Sequence, residues 1–421
     1  MTLNMETVDL LIKNGQVVTA AGHDGPVAGE NMNELEVLEN GCVAVKGEQI
    51  VAVGLEDKVM SEVQITDKTR IIDATDKVVT PGLIDSHTHF IFGGSREDEF
   101  VMRIQGASYM EIMEAGGGIL NTVRATRAAS LEELKELGRK RLDWMLKMGT
   151  TTVESKSGYG LNLEAELKQL QASYELNQEH PMDIVNTFLG AHAWPEEYKD
   201  DHEGYIKVII EEMLPKVKEA GLAEFCDVFC EKGVFSIEET REIMLAAKEM
   251  GFDLKLHADE MTSLGGAELA AELRAVSAEH LLMISDEGID AMRDKGVMAV
   301  LLPATAFTLR KPYAPVQKMM EAGLPFALAT DFNPGSSPTP SLPLAMTIAC
   351  LYMQLTPEAV FNAVTINAAY ALKRADQIGS IEVGKQADLV IFDIDSYRKI
   401  PYFYGVNLVD KVIKKGKVVV D

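Results

Sequence analysis

The residues with the clearest chemical potential are Asp85, His87 and His89, at the end of the stretch from Val78 to Phe90, VVTPGLIDSHTHF. Successive side chains on a strand point to opposite faces, so three residues at spacing two project the same way and can converge on one ion. Imidazole suits zinc and iron alike, and a histidine pair completed by later ligands leaves a position where water can be ionised. A bare His-x-His is more often a surface pair or a satisfied core pair. Here an Asp precedes it, an apolar run leads into it, and Pro81-Gly82 punctuates that run.

Such a pair needs a scaffold that brings further ligands to it, and the middle of the chain supplies one. After Val78 to Asp85, strand-like runs recur at Thr150 to Glu154, Asp183 to Leu189, Phe225 to Phe229, Asp253 to His257, Ser277 to His280, Val297 to Leu302 and Phe326 to Asp331. Helical patterns separate most of them. Leu131, Leu134, Leu142, Met145 and Leu146 form a stripe opened by a Ser130-to-Glu133 capping box and closed by Gly149. Leu163, Leu167, Leu170 and Tyr174 form a second, Ser236-to-Glu239 caps a third that ends near Gly251, and Thr356-Pro357 opens a helix after the eighth run. Met and aromatic residues on these stripes are expected in the core. Eight β-then-α units in order predict an α/β fold, a (β/α)8 TIM barrel.

The ends of the chain differ from this middle. Val8 to Ile12, Gly15 to Thr19, Gly41 to Val45, Ile50 to Val53 and Ile71 to Ile72 read as short strands between Gly, Asn and Asp turns, with no strong helix. DLVIFD from Asp388 and KVIKKGKVVV from Lys411 have the same character. Both termini are therefore expected to build one small β-sandwich-like domain, residues 1–77 with 376–421, beside a barrel of residues 78–375.

Composition narrows the function classes. Forty basic against 65 acidic side chains give a formal charge of −25, which repels phosphate backbones and anionic lipid, so neither nucleic acid nor membrane is an expected partner. No apolar run approaches the roughly 20 residues of a membrane span, and Glu6 and Asp9 stand where a secretory signal would be basic and then apolar. A cytoplasmic location is expected, and an acidic barrel of this size leaves a homodimer open. Cys42, Cys226, Cys230 and Cys350 are too scattered for a disulfide framework, and Cys226 and Cys230 in EFCDVFC read as buried strand.

Active sites of such barrels collect at the carboxyl ends of the strands. His87 and His89 end the first run, Lys156 and Tyr159 follow the second, His192 the third, His257 and Glu260 the fifth, His280 the sixth, and Asp331 and Asn333 the eighth. Five of the eight histidines occupy such positions; His23, His180 and His202 lie in polar loop-like sequence and are expected to be solvated. One histidine at a strand end says little, but their joint placement on separate strands says much.

This constellation, with its β-rich ends and the tail GSIEVGKQADLVIFD from Gly379, resembles the metal-dependent amidohydrolase superfamily. HTHFIFGGSRE (87–97), QGASYMEIMEAGGGIL (105–120), ESKSGYGL (154–161), TFLGAHA (187–193), DVFCEKGVF (227–235), LHADE (256–260) with LGGAELAAEL (264–273), and ATDFNPGSSP (329–338) resemble one family within it, the imidazolonepropionases. The resemblance spans nearly the whole chain, and SKSGYGL with TDFNPGSSP is its most specific part. It implies that His87, His89, His257 and Asp331 hold one zinc or iron ion per subunit. It also implies that Arg96, Tyr159, His192, Glu260, Asn333, Gly335 and Ser336 line the pocket for a small-molecule substrate, 4-imidazolone-5-propanoate of histidine degradation. Ser86 stands where that family often has Pro, and Trp194 where a smaller residue is usual and could narrow the pocket mouth.

The residue types suit that chemistry. Opening a cyclic amide in water needs an activated nucleophile, a proton route to the departing nitrogen and stabilisation of an oxyanion. Asp331 can take the proton while ligating, His280 can hold the water or polarise the carbonyl, and Glu260 can bond ring nitrogens and shuttle a proton. Arg96 offers a planar fork for the propionate, with Tyr159 and Asn333 as neutral donors. Three rivals remain at this point: an aromatic-base deaminase on the same metal, a two-metal hydrolase using a carboxylated Lys232, and a catalytically silent barrel acting as a binding protein.

Overall fold

Each strand-like run of the middle region becomes a barrel strand in the computed structural model, which describes residues 6–107, 111 and 116–421. The strands are β1 (Leu83–Asp85), β2 (Thr150–Lys156), β3 (Asp183–Ala191), β4 (Phe225–Cys230), β5 (Asp253–Ala258), β6 (Ser277–His280), β7 (Met298–Leu301) and β8 (Phe326–Leu328). They pair in parallel in chain order from β1 to β8. Closure comes just beyond the end strands, where Asp331 donates its N–H to the His87 carbonyl at 3.0 Å and His89 donates to the Phe332 carbonyl at 2.9 Å. The seam of the barrel therefore runs between His87-His89 and Asp331, and it brings the two halves of the expected ligand set together.

The helices form where their signals lie. Ser130 and Glu133 make a reciprocal capping box heading α1 (Leu131–Lys147), and Ser236 with Glu239 makes another heading α3 (Ile237–Glu249). Between them runs α2 (Leu163–Glu179), capped by Asn162. On α2 the expected stripe is only partly right. Tyr174 is exposed, and the face turned inward carries the smaller Ala165, Ala172 and Ser173 beside Leu170 and Leu176. A helix lying close over the barrel wall selects small side chains at its contact line. Cys226 and Cys230 are free and buried on β4, as expected.

The termini build an eight-stranded mixed sheet. Leu389–Phe392 pairs antiparallel with Val78–Pro81, which pairs in parallel with Leu10–Val18, while Val37–Lys46 and Gln49–Leu55 continue one way and Val409–Lys414 and Lys417–Val420 the other; Arg70–Asp73, the eighth strand, runs parallel to Leu10–Val18 beside Val78–Pro81. The edge strand Gln49–Leu55 also meets the segment that leads into Leu389–Phe392, since Ile50 donates to the Lys385 carbonyl and Ala387 to the Glu48 carbonyl. Leu10, Ile12, Val43, Val45, Leu389, Ile391 and Ile413 fill the enclosed core. Burying one such side chain contributes about 1.5–3 kcal/mol.

Several expectations need correction. Val78–Pro81, expected at the start of the first barrel strand, pairs with the terminal sheet, and the barrel strand starts after it, at Leu83. Pro81 cannot donate to a ladder, and a Cβ on Gly82 would stand 2.1 Å from Thr151 Oγ1, so the switch occurs where only glycine fits. A short helix, Glu56–Glu62, interrupts the β-rich N-terminal region; its one buried residue, Val59, gives no periodic signal. Val27 and Met32 pack into the barrel's main core rather than that of the terminal sheet, and the Asn367 side chain bonds both the N–H and the carbonyl of Val27.

Candidate metal centre and active site

At the carboxyl end of the barrel His87 Nε2 lies 3.3 Å from His89 Nε2, and Asp331 Oδ1 lies 3.4 and 3.5 Å from these two nitrogens. Four ligands at about 2.0–2.1 Å in a tetrahedron stand about 3.3–3.4 Å apart, so these atoms have the spacing of zinc or iron donors. His257 joins them, its ring centroid 4.7 Å from that of His87, and its Nε2 is buried with no hydrogen-bond partner among the described residues. An orphaned imidazole nitrogen facing two others and a carboxylate is the environment a cation fills. Burial drives His87 and His89 well below the usual imidazole range, which keeps them neutral, the form that ligates.

Carboxylates orient two of these rings from below. Glu279 Oε2 stands 2.5 Å from His87 Nδ1, and Asp227 Oδ2 stands 2.9 Å from His257 Nδ1. Each leaves the opposite Nε2 available as a ligand. Beneath them lie Glu154, Lys156 and Lys255, and all five charged side chains are fully buried. Burial disfavours the Lys156 ammonium, yet Asp227, Glu154 and Glu279 together hold its pKa above the ordinary lysine value. Of this network the sequence reading singled out only Lys156. A charged residue inside an apolar run, as in EFCDVFC, DLKLHA and SAEH, was the available signal.

Asp85 does not join the donor cluster of His87, His89 and Asp331. Its carboxylate accepts the N–H and the hydroxyl of Thr330 at 3.0 and 2.6 Å, which ties the first strand to the end of the eighth. Ser86 is fully buried, and its hydroxyl has no hydrogen-bond partner among the described residues. Strand-end strain accompanies the site: His280 has φ 72° and Asp331 φ 52°, left-handed values that cost side-chain-bearing residues energy and recur at functional positions.

Around the centre, His192 stacks on His89 with centroids 5.0 Å apart, its Nδ1 3.0 Å from the Gly158 carbonyl, and Tyr159 packs against both rings. Burial, assisted by His257, lowers His192 to about 3. Glu260 Oε2 lies 3.7 Å from His280 Nδ1. Burial, with Asp331 adding to it, pushes Glu260 up to about 7, the range of a group that both gives and takes protons near neutrality. The loop carrying it is fixed from both sides: Glu231 accepts the N–H groups of Met261 and Thr262, and Asp259 accepts those of Leu264, Gly265, Gly266 and Ala267. Burial likewise raises Asp331, to about 6, against a 2.6 Å hydrogen bond from the Thr305 hydroxyl.

Two expected pocket residues are partly committed elsewhere. Arg96 donates from Nε and Nη2 to Glu99 Oε2 at 2.9 and 2.7 Å, which leaves Nη1 beside Gly335, where a Cβ would stand 2.1 Å away. Arg103 reaches the same place and donates to the Gly335 carbonyl at 3.2 Å. Asn333 donates to the Asp331 carbonyl and accepts from the N–H groups of Gly335 and Ser336, so its amide shapes this loop rather than standing free. Trp194 packs on Phe235 and His202 and donates to the Val234 carbonyl. His180, expected in solvent, has a side chain only 5% exposed and lies 3.3 Å from Asp143. Lys232, which the two-metal reading needs as a buried bridge, is exposed.

The model of the amidohydrolase family matches residues 78–419. The chain is 56% identical over 414 residues to an imidazolonepropionase of Geobacillus sp. (strain WCH70), covering 98% of each chain. It is 53% identical over 416 residues to one of Clostridium tetani, covering 99% of each. Among solved structures it resembles an adenosine deaminase from Xanthomonas campestris with bound zinc, with a TM-score of 0.73 at 20% identity over 99% of this chain and 94% of that one. It also resembles a zinc-complexed atrazine chlorohydrolase from Arthrobacter aurescens, with a TM-score of 0.73 at 17% identity over 98% of this chain and 95% of that one. At such identities these two structures establish the fold alone. The chain belongs to the amidohydrolase family and, within it, to the imidazolonepropionases.

Proposed function

We infer that the chain hydrolyses the cyclic amide of 4-imidazolone-5-propanoate to N-formimidoyl-L-glutamate, a step of histidine degradation, in the cytoplasm. The observation that carries the hydrolytic reading is the convergence of His87, His89 and Asp331 donor atoms at 3.3–3.5 Å beside the unpartnered His257 Nε2. These four residues would hold one zinc or iron ion. The ion supplies Lewis acidity, which makes water nucleophilic at neutral pH and stabilises developing negative charge on the carbonyl oxygen.

The side chains supply the rest. Asp331 takes the proton of the attacking water, its Oδ2 steadied by the Thr305 hydroxyl. His280 bonds the same water or the carbonyl oxygen from the opposite side. Glu260 reaches the ring nitrogens and delivers a proton to the nitrogen that departs as the C–N bond breaks. Tyr159 and His192 wall the pocket and keep bulk water out, while Arg96, with the loop of Asn333, Gly335 and Ser336, meets the propionate.

The test is direct: metal-loaded protein is incubated with 4-imidazolone-5-propanoate, and the ring-opened product is sought by mass spectrometry. His257→Ala is expected to lose both metal and turnover. Glu260→Gln is expected to keep the metal and lose about two to four orders of magnitude in rate, the usual size of general acid–base catalysis. Ammonia released from an aromatic base, with no ring opening of the imidazolone, overturns the assignment. Full metal occupancy in an active His257→Ala overturns the ligand set.

A further inference from the structure

The fully buried charges beneath the ligand histidines take no part in the chemistry above, and one of them is placed to control it. Lys156 Nζ lies 2.8 Å from Asp227 Oδ2, 2.8 Å from Glu279 Oε2 and 3.1 Å from Glu154 Oε2. The first two oxygens are the same atoms that face the ligand histidines, Asp227 Oδ2 toward His257 Nδ1 and Glu279 Oε2 toward His87 Nδ1. The ammonium thus bridges the two carboxylates that set the two imidazoles. Lys255, the other lysine of the cluster, reaches Glu154 Oε1 at 3.0 Å and Glu279 Oε1 at 3.4 Å, the oxygen of Glu279 that does not face His87.

We propose that Lys156 is a positioning residue for the metal centre, a built-in cation that holds Asp227 and Glu279 in the orientation that presents His257 and His87 to the ion through Nε2. This rests on the ligand set proposed above. The physical reason is crowding of like charge where no water can screen it: three carboxylates meet around one ammonium at zero exposure. Without that ammonium they would repel one another, and the two that orient the histidines would turn away. A neutral side chain of similar length fills the space but cannot hold them.

Zinc affinity of the folded protein, measured by chelator competition, reads this without reference to turnover, and the visible absorption of the cobalt(II)-loaded form reports the ligand geometry. Lys156→Met is expected to weaken zinc ten- to a hundredfold, the range for outer-shell partners of a metal site, and to change the cobalt spectrum. In a D227N/E279Q background Lys156 has nothing left to act through. There the same substitution is expected to change zinc affinity by no more than threefold. A folded Lys156→Met with less than a tenfold loss overturns the proposal, and so does a loss beyond threefold in the D227N/E279Q background. If Lys156→Met alone does not fold, the second comparison decides. His257→Ala separates the two readings: if that variant retains zinc, the ligand set is wrong whatever Lys156 does.

Discussion

The barrel carries lysine–carboxylate clusters at both ends, and they differ in how far water reaches them. At the carboxyl end, Glu154, Lys156, Asp227, Lys255 and Glu279 are fully buried and sit against His87 and His257, two of the proposed metal ligands. At the amino end, where the terminal sheet meets the barrel, Lys414 pairs with Asp183 at 2.7 Å and Asp388 at 2.6 Å, Lys415 pairs with Asp183 at 2.7 Å, and the Asp183 side chain is 32% exposed. The first cluster has no solvent to fall back on, so every member must be answered by another. The second is open to water at Asp183 and Lys415, 32% and 38% exposed, while its Lys414 and Asp388 are 2% and 4% exposed. An Asp183 that loses a partner can recruit water, which no member of the upper cluster can, so the stakes at Asp183 are lower.

The sharpest way to break this contrast is Lys255→Met. It leaves Glu154 and Glu279 short of one cation at zero exposure, and breaking a fully buried pair costs about 3–5 kcal/mol. Urea unfolding of the apoprotein measures it. A cost below about 1 kcal/mol would mean that the upper cluster behaves like a surface pair, and the contrast would fail.

Arg96, which the proposed function sets against the propionate, tests the intermediate case, since its side chain is 14% exposed and its partner Glu99 5%. Arg96→Met is expected to leave metal content intact and to reduce kcat/KM for the propionate substrate by about 1.5–3 kcal/mol, the size of a hydrogen bond to a charged group. Lysine should restore only part of this, because an ammonium cannot bond Glu99 through Nε and Nη2 while presenting a further donor to the ligand. A substrate analogue without the carboxylate should be nearly indifferent to the substitution. If the two losses add in full, Arg96 does not meet the propionate.

Much of the top of the barrel was legible because its signals are local. Strand-end histidines, capping boxes at Ser130 and Ser236, and eight β-then-α units are read from neighbours in sequence. What was missed depends on register. Asp227 pairs with Lys255 across β4 and β5, and His257 with Glu279 across β5 and β6, and no one segment reveals that these rows form a single charged layer. Asp85 shares the strand parity of His87, yet its fate is set by Thr330, 245 residues away. The Arg96–Glu99 pair was within reach, since a spacing of three on a helix places both on one face. Val78–Pro81 was misassigned because an apolar β run is the same whichever sheet it joins.

The smallest expected effect is at the bottom of the barrel, and pH gives it a distinctive signature. Asp183 accepts from Lys414, Lys415 and Gln386 at 2.7, 2.7 and 3.0 Å. Burial alone would raise its pKa, but these partners overcome it and hold the carboxyl below its ordinary 3.8. A group whose pKa is lowered by folding contributes stability that is present above the unfolded value and lost as pH falls through the folded one. Asp183→Asn should therefore cost about 1 kcal/mol or less at pH 7, after allowance for its partial exposure. That difference from the unsubstituted protein should shrink once pH drops below about 3.8, because the carboxyl of the unfolded chain takes up a proton there, and should vanish as the folded carboxyl follows at lower pH. Urea midpoints across this range check it. A cost at pH 7 as large as that of Lys255→Met would mean that the amino-end junction is as sealed as the metal floor. A difference that grows with acid would mean that Asp183 titrates upward on folding, with burial winning over its lysines.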